Sequence, residues 1–198
     1  MGEWSESNPD LLIPSPLRYG QGGSLLVTYS LMAANVAVYL LLLLGGDPAY
    51  ATLAQSGDAV FSGAYWQVFT AMFVHFDLLH IGFNMYALYY FGRLNEVGYT
   101  RGQYLAIYLG AGLLGNVVSL FFLPGDVLTG GASGAIFGLI GSYVAKNRSG
   151  VSMALALVYA GFIFLASSGP GVNIYAHLFG IVGGFALGLL FTRMQGAE

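Results

Sequence analysis

The chain has 198 residues, of which 57% are hydrophobic and 8% are charged, and its formal net charge is −3. Soluble domains carry about 25% charged residues, so this composition excludes an ordinary soluble enzyme and predicts an all-α membrane protein with room for about six spans. The absence of cysteine excludes disulfides, thiolate catalysis and cysteine-based metal sites, and a chain without a basic run is not expected to bind nucleic acid.

Six apolar segments follow a polar N-terminal tail. The tail, residues 1–23, holds acidic residues and is predicted to be solvated, while residues 24–193 form the membrane domain. In chain order, the predicted segments are Leu25–Leu44, Leu78–Phe91, Tyr104–Leu123, Ser133–Ala145, Val151–Ala166 and Ile174–Thr192. The fourth segment is too short to cross about 30 Å of hydrocarbon, so its helix is expected to begin inside the membrane.

The charged residues divide between the two sides of this arrangement. Every Lys and Arg falls in the N-terminal tail, the second–third loop, the fourth–fifth loop or the C-terminal end, whereas the opposite loops hold Asp and no Lys or Arg. The positive-inside rule then predicts that both termini are cytoplasmic. The six basic residues are Arg18, Arg93, Arg101, Lys146, Arg148 and Arg193.

The first outer connection, from Gly45 to about Asp77, is long, aromatic and weakly charged. Such a loop is expected to lie in the membrane interface rather than in free water. An ordinary aromatic belt has the same composition, so both interpretations stay open.

Four polar residues are predicted to share one layer of the membrane. Ser133, His80 and His177 lie thirteen, thirteen and sixteen residues before the basic residue that ends their segment. At about 1.5 Å per residue, each lies roughly 20–24 Å above the cytoplasmic surface, and Asn84 follows His80 by one turn on the same face. One layer near the outer surface therefore holds a serine, two histidines and an asparagine.

Ser133 follows an irregular stretch, Leu123–Gly131, at this depth. Non-helical backbone is tolerated there only when it is buried in protein or lines a wet cavity. The free amides of the first helical turn would point at the serine and stabilise a developing oxyanion. Small residues flank Ser133, and glycine recurs at every fourth position after His177. Both features permit close helix contact in lipid. The later glycines are Gly180, Gly184 and Gly188.

Each of these polar residues also has an ordinary explanation. A serine in a glycine-rich membrane helix usually serves packing, a lone His177 is typical of a satisfied bundle residue or a proton path, and His80 with Asn84 could be an interhelical hydrogen-bonded pair. Packing does not require all four in one layer, however, so the joint pattern favours hydrolysis inside the bilayer. The sequence has no Asp or Glu at the depth of His177, so a triad has no acidic candidate.

Four motifs, in order between Tyr65 and Gly188, together resemble the rhomboid family of intramembrane serine proteases. They are Gly131-Ala132-Ser133-Gly134, Ala176-His177-Leu178-Phe179-Gly180 with Gly184, a His75-x4-His80-x3-Asn84 pattern, and Glu96 with Gly98 after the second segment.

The resemblance implies a six-transmembrane-helix, rhomboid-like bundle with both termini cytoplasmic and a Ser–His dyad. Ser133 would be the nucleophile and His177 the general base and acid, while His80, Asn84 and the Ser133 backbone N–H would stabilise the oxyanion. No metal or cofactor is used. The substrates would be single-pass transmembrane proteins, cut in the lipid bilayer near the outer end of their helix. The compact build favours a multi-pass protein of a prokaryotic plasma membrane.

Two positions depart from the family pattern. Gln67 follows Trp66 where the family usually has arginine, so a charged anchor of the first outer loop is missing. Phe137 stands where bacterial relatives often have tyrosine, and it could stack on the His177 ring but not donate a hydrogen bond. His75 is expected to be an interfacial, structural residue.

Two other functions compete with proteolysis. A catalytically inactive rhomboid-like protein would bind membrane proteins, but such proteins usually lose the serine or the histidine, and both are present here. A small transporter or proton path would use His80 and His177, but the chain has no intramembrane acidic residue and no detectable inverted repeat.

Overall fold

The computed structural model describes residues 25–147 and 173–196, with single residues at 150, 153, 154, 156, 158, 160 and 161. The predicted tail, residues 1–23, and most of the predicted fifth segment, Val151–Ala166, lie outside the described residues. The described part is helical, as predicted. Its helices are α1 (Leu26–Leu53), α2 (Gly57–Phe61), α3 (Gln67–Thr70), α4 (Leu78–Gly98), α5 (Arg101–Ser119), α6 (Ser133–Lys146) and α7 (Ile174–Gln195), with a 3-10 helix (Ala71–Phe73) between α3 and α4.

Two of the described helices, α1 and α7, are long and apolar enough to cross a membrane. A third candidate is the segment from α3 through the 3-10 helix together with α4, if the two parts, bent by 88°, are one span. The described residues thus support two or three spans, and a bundle of six stays a prediction.

Helix α1 continues beyond the predicted end of the first span at Leu44. Gly46 breaks it with φ 59° and ψ −156°, a backbone conformation that only glycine adopts readily. The helix then resumes through Pro48 to Leu53, so the start of the predicted outer loop is helical.

Side chains of α3 satisfy the last carbonyl groups of α1. Gln67 Nε2 donates to the Ala51 carbonyl at 2.9 Å, and Trp66 Nε1 donates to the Thr52 carbonyl at 2.9 Å. Gln67 Oε1 accepts from the Ser56 backbone N–H at 3.1 Å. Gln67 is 2% exposed, and unpaired backbone groups at this depth are costly. An uncharged amide therefore anchors the first outer loop where the resemblance implied a cation.

The other end of α1 is capped by a carboxylate. Glu96, in the last turn of α4, accepts from the backbone N–H groups of Val27 and Thr28 at 2.7 and 2.9 Å. It also accepts from the Thr28 hydroxyl at 2.6 Å. A negative charge at a helix N-terminus is stabilising, so the end of α4 is fixed to the start of α1.

Glycine lets α6 and α7 touch backbone to backbone. A Cβ atom at Gly180 would collide with the Gly134 carbonyl oxygen, and one at Gly184 would collide with the Gly138 backbone. Farther along, a Cβ atom at Gly188 would lie 2.7 Å from the Ser142 Cα atom. The two helices therefore run together over most of α6, and their first turns lie side by side.

Candidate active site

Ser133 is the first residue of α6, and a glycine turn presents it. Gly131 has φ 137°, which L side chains rarely adopt. A Cβ atom at Gly131 would lie 2.9 Å from His80 Nε2 and 3.4 Å from Ser133 Oγ. Because Gly131 has no side chain, the His80 ring and the Ser133 hydroxyl both lie against the space that a side chain there would occupy.

The Ser133 hydroxyl is hydrogen-bonded to the imidazole of His177. Their Oγ and Nε2 atoms are 2.7 Å apart, and both side chains are buried. His177 lies in the first turn of α7, and the Gly134–Gly180 contact holds this turn against the start of α6. The structure thus brings together the serine and histidine that the sequence predicted to share a layer.

Phe137 lies one turn below Ser133 and packs against the His177 ring. The ring centroids are 4.5 Å apart and the planes differ by 16°, which is a stacked arrangement. The predicted stacking is therefore present, and it restrains the orientation of the imidazole without a hydroxyl group.

His80 and Asn84 occupy the first two turns of α4, but their side chains differ in availability. The Asp77 carboxylate caps this helix by accepting from the His80 backbone N–H at 2.8 Å. Asn84 Nδ2 donates to the His80 carbonyl at 2.8 Å. The His80 ring lies beside Gly131, whereas one of the two N–H groups of the Asn84 amide is engaged within its own helix.

His75, which the sequence suggested to be an interfacial, structural residue, is fully buried in the protein. Its Nδ1 atom lies 3.2 Å from the Phe73 carbonyl oxygen, which can only accept, so Nδ1 carries the proton. The Nε2 atom then accepts from the Ala132 backbone N–H at 3.4 Å. The ring also meets that of His80 edge-on, with centroids 4.9 Å apart. His75 therefore contacts both sides of the Gly131 turn.

The outer loop is also joined to the stretch before Ser133 through backbone hydrogen bonds. Gln55 and Thr129 form an antiparallel bridge, with N–H···O distances of 2.9 and 2.8 Å. The Gly131 N–H donates to the Ala71 carbonyl at 2.9 Å. Sequence patterns did not reveal these contacts, because backbone pairing between irregular segments leaves no periodic signal.

The arrangement has the parts of an acyl-transfer site. A serine hydroxyl within hydrogen-bond reach of an imidazole is an activated nucleophile, and the first-turn amides of α6 face the same region. Across residues 25–147, 173–196 and the few described between them, no group of three or more His, Asp or Glu side chains could hold a metal ion.

Comparison with known proteins identifies the chain's relatives. The model of the rhomboid domain matches residues 62–194. Rhomboid protease GluP of Bacillus subtilis is 34% identical over 188 residues, which cover 85% of this chain and 36% of that protein. RHOMBOID-like protein 7 of Arabidopsis thaliana is 32% identical over 142 residues, covering 68% of this chain and 45% of that protein.

Rhomboid protease GlpG of Salmonella paratyphi A is 29% identical over 176 residues, covering 84% of this chain and 63% of that protein. The chain thus spans less than two thirds of the length of each of these three relatives, and about a third of the length of GluP. The family model covers all four motifs on which the resemblance rests.

Proposed function

The chain belongs to the rhomboid family, and from that premise we propose that it is an intramembrane serine protease with Ser133 as nucleophile and His177 as general base and acid. The observation that carries the proposal is the 2.7 Å contact between Ser133 Oγ and His177 Nε2 inside a glycine-lined helix contact. Relatives named as proteases, such as GluP and GlpG, support the reaction class.

The reaction is acyl transfer in two halves. His177 Nε2 takes the hydroxyl proton as Ser133 Oγ bonds to the scissile carbonyl carbon. The tetrahedral intermediate collapses when the C–N bond breaks and His177 returns the proton to the leaving amine. Water then attacks the acyl-enzyme while His177 accepts its proton, and the second product leaves with that proton restored to Ser133.

His80, Asn84 and the Ser133 backbone N–H are proposed to stabilise the oxyanion. The part of His80 is supported by its ring and the Ser133 hydroxyl lying against the same Cβ position of Gly131. Asn84 would contribute the N–H that its bond to the His80 carbonyl leaves free. Such donors act strongly because they are fixed before charge develops and water is largely excluded.

The chain is an integral membrane protein, as its family and the apolar helices α1 and α7 indicate. We propose that it is a six-helix bundle with cytoplasmic termini in a prokaryotic plasma membrane. Its proposed substrates are single-pass transmembrane proteins, which it cuts near the outer face without a metal or cofactor. Lys146, at the basic end of α6, donates hydrogen bonds to the Gly98 carbonyl at the end of α4 and to the Gln195 side chain at the end of α7. These bonds support a common cytoplasmic end for the three helices.

The proposal is tested with purified protein in liposomes and a fluorescent single-pass substrate that has small residues at the outer end of its helix. The parent should release two fragments, and Ser133→Ala should release none. A folded parent that binds the substrate without cutting it would favour the inactive, binding relative. Ion or proton flux from the same liposomes would favour the transport interpretation.

The rate is expected to fall on acidification, because a base must be neutral to accept the serine proton. Below the pH at which half of His177 is protonated, the rate should fall about tenfold per pH unit, as expected for one titrating group. Rates measured on the liposomes at stepwise lower pH, each followed by return to neutral pH, separate protonation from unfolding. A rate that stayed flat well below pH 5 would contradict the role of His177.

Gly131→Ala is expected to lower hydrolysis by roughly 100-fold, because a small displacement at a catalytic centre has effects of that size. The new Cβ atom would lie 2.9 Å from His80 Nε2 and displace that ring, and it would also strain the backbone. Gly63→Ala is the matched control, since Gly63 also has positive φ (114°) but open space around it. If Gly131→Ala and Gly63→Ala lowered the rate of hydrolysis by the same factor, backbone strain alone would explain the loss.

A further inference from the structure

Asn173 precedes α7 and caps its first turn. Its Oδ1 atom accepts from the Ala176 backbone N–H at 2.9 Å, and its carbonyl accepts from the His177 N–H at 3.2 Å. The Oδ1 bond restrains the carboxamide relative to the helix that carries His177.

The Asn173 Nδ2 group has no hydrogen-bond partner among the residues that the structure describes. Asn173 is 7% exposed, so water does not readily replace a partner. Leaving a buried donor unpaired costs about 1–3 kcal/mol. The cap itself needs only Oδ1, and serine would cap a helix about as well, so the amide donor is not required for helix formation.

The location of the donor relates it to the Ser133–His177 pair. Asn173 is four residues before His177, and its carbonyl accepts the His177 N–H, so the two residues lie about one helical turn apart. Cβ atoms at this spacing in a helix are roughly 5–6 Å apart. An extended peptide advances about 3.3 Å per residue. A carbonyl group one or two residues from the scissile bond would therefore fall within reach of Nδ2.

We propose that Asn173 Nδ2 donates a hydrogen bond to a main-chain carbonyl of the bound peptide, one or two residues from the scissile bond. This inference rests on the proposed protease function. Ser133 and His177 are 9% and 2% exposed, so the Asn173 donor is shielded from bulk water to the same extent as the two residues of the dyad. The contact would recognise extended backbone and not a particular side chain.

The test separates helix capping from substrate binding. Asn173→Ser and Asn173→Thr keep an oxygen that can cap α7, but their side chains end one bond nearer the backbone and lack the amide donor. Three quantities are measured on each purified variant: the melting temperature, the rate of Ser133 labelling by a small fluorophosphonate, and kcat/KM for the transmembrane substrate. Thr100→Ala, which removes the cap of α5, serves as a control for lost capping elsewhere in the chain.

Both Asn173 variants should have at least the parent melting temperature, because an unpaired buried donor is removed, and should keep the parent labelling rate, while kcat/KM falls about tenfold, the effect of one lost hydrogen bond. Thr100→Ala should lower the melting temperature and leave kcat/KM of the folded protein unchanged. Parent-like cleavage by both Asn173 variants would overturn the inference and leave the protease function intact. Labelling that fell in step with cleavage would also overturn it, because Asn173 would then act through the dyad. A folded parent that is neither labelled nor active would refute the protease function itself.

Discussion

His177→Gln is expected to lower peptide hydrolysis by at least about 1,000-fold, the scale seen when the base of a serine protease is removed. Glutamine has a similar volume and can still hydrogen-bond to Ser133 Oγ, but its amide does not accept a proton. Because the ring is buried between α6 and α7 and stacked on Phe137, its loss is expected to destabilise the fold by only about 1 kcal/mol. The measurement is cleavage of the transmembrane substrate in liposomes, at equal amounts of folded protein.

Phe137→Leu is the control for this variant, since it keeps an apolar side chain below the imidazole but removes the stacked ring. Aromatic stacking contributes about 1 kcal/mol, so the control should lose at most about tenfold in rate. If His177→Gln kept more than a tenth of the parent activity, His177 would not be the base.

Gly184→Val is expected to destabilise the protein by about 3 kcal/mol or more, the upper range for overpacking a core. The added side chain would meet the backbone of Gly138, and no flexible side chain is there to move aside. The middle of α7 would be pushed away from α6 and the packing that aligns His177 with Ser133 would be disturbed, so hydrolysis should be lost together with stability. Thermal unfolding in detergent and cleavage at low temperature measure the two effects.

Gly102→Ala provides the control, because Gly102 is also helical but has open space around its Cβ position. Alanine is about 1 kcal/mol more favourable than glycine within a helix, so this variant should be neutral or slightly stabilised. A parent-like melting temperature for Gly184→Val would show that the helices do not pack through these glycines.

The helices that carry the candidate site were well predicted from the sequence. The predicted starts of the fourth and sixth segments, Ser133 and Ile174, are the starts of α6 and α7. Small residues and uninterrupted apolar runs determine both elements locally. The end of the first segment was predicted at Leu44, and the structure breaks α1 close to that point, at Gly46; the second stretch of helix, through Pro48 to Leu53, was not predicted, because Gly45-Gly46 and Pro48 resemble a turn.

Side-chain directions within the site were less predictable. Periodicity placed Asn84 below His80, but did not indicate that its amide would bond back to the His80 carbonyl. The burial of His75 and the bonding of Gln67 to the end of α1 depend on how the outer loop folds back onto the bundle. Such contacts between distant, irregular segments have no pattern along the chain. The fifth segment lies mostly outside the described residues, so its place in the bundle stays a prediction.

The most direct measurement of the central claim is covalent labelling with a fluorophosphonate, followed by mass spectrometry to locate the modified residue. The detergent-purified parent is compared with Ser133→Ala and His177→Gln, and each protein is first shown to be folded. We expect one adduct, on Ser133, that is absent from Ser133→Ala and strongly reduced in His177→Gln. An adduct that persists in Ser133→Ala, or a folded parent that is not labelled, would contradict the assignment of Ser133 and His177 as the catalytic pair.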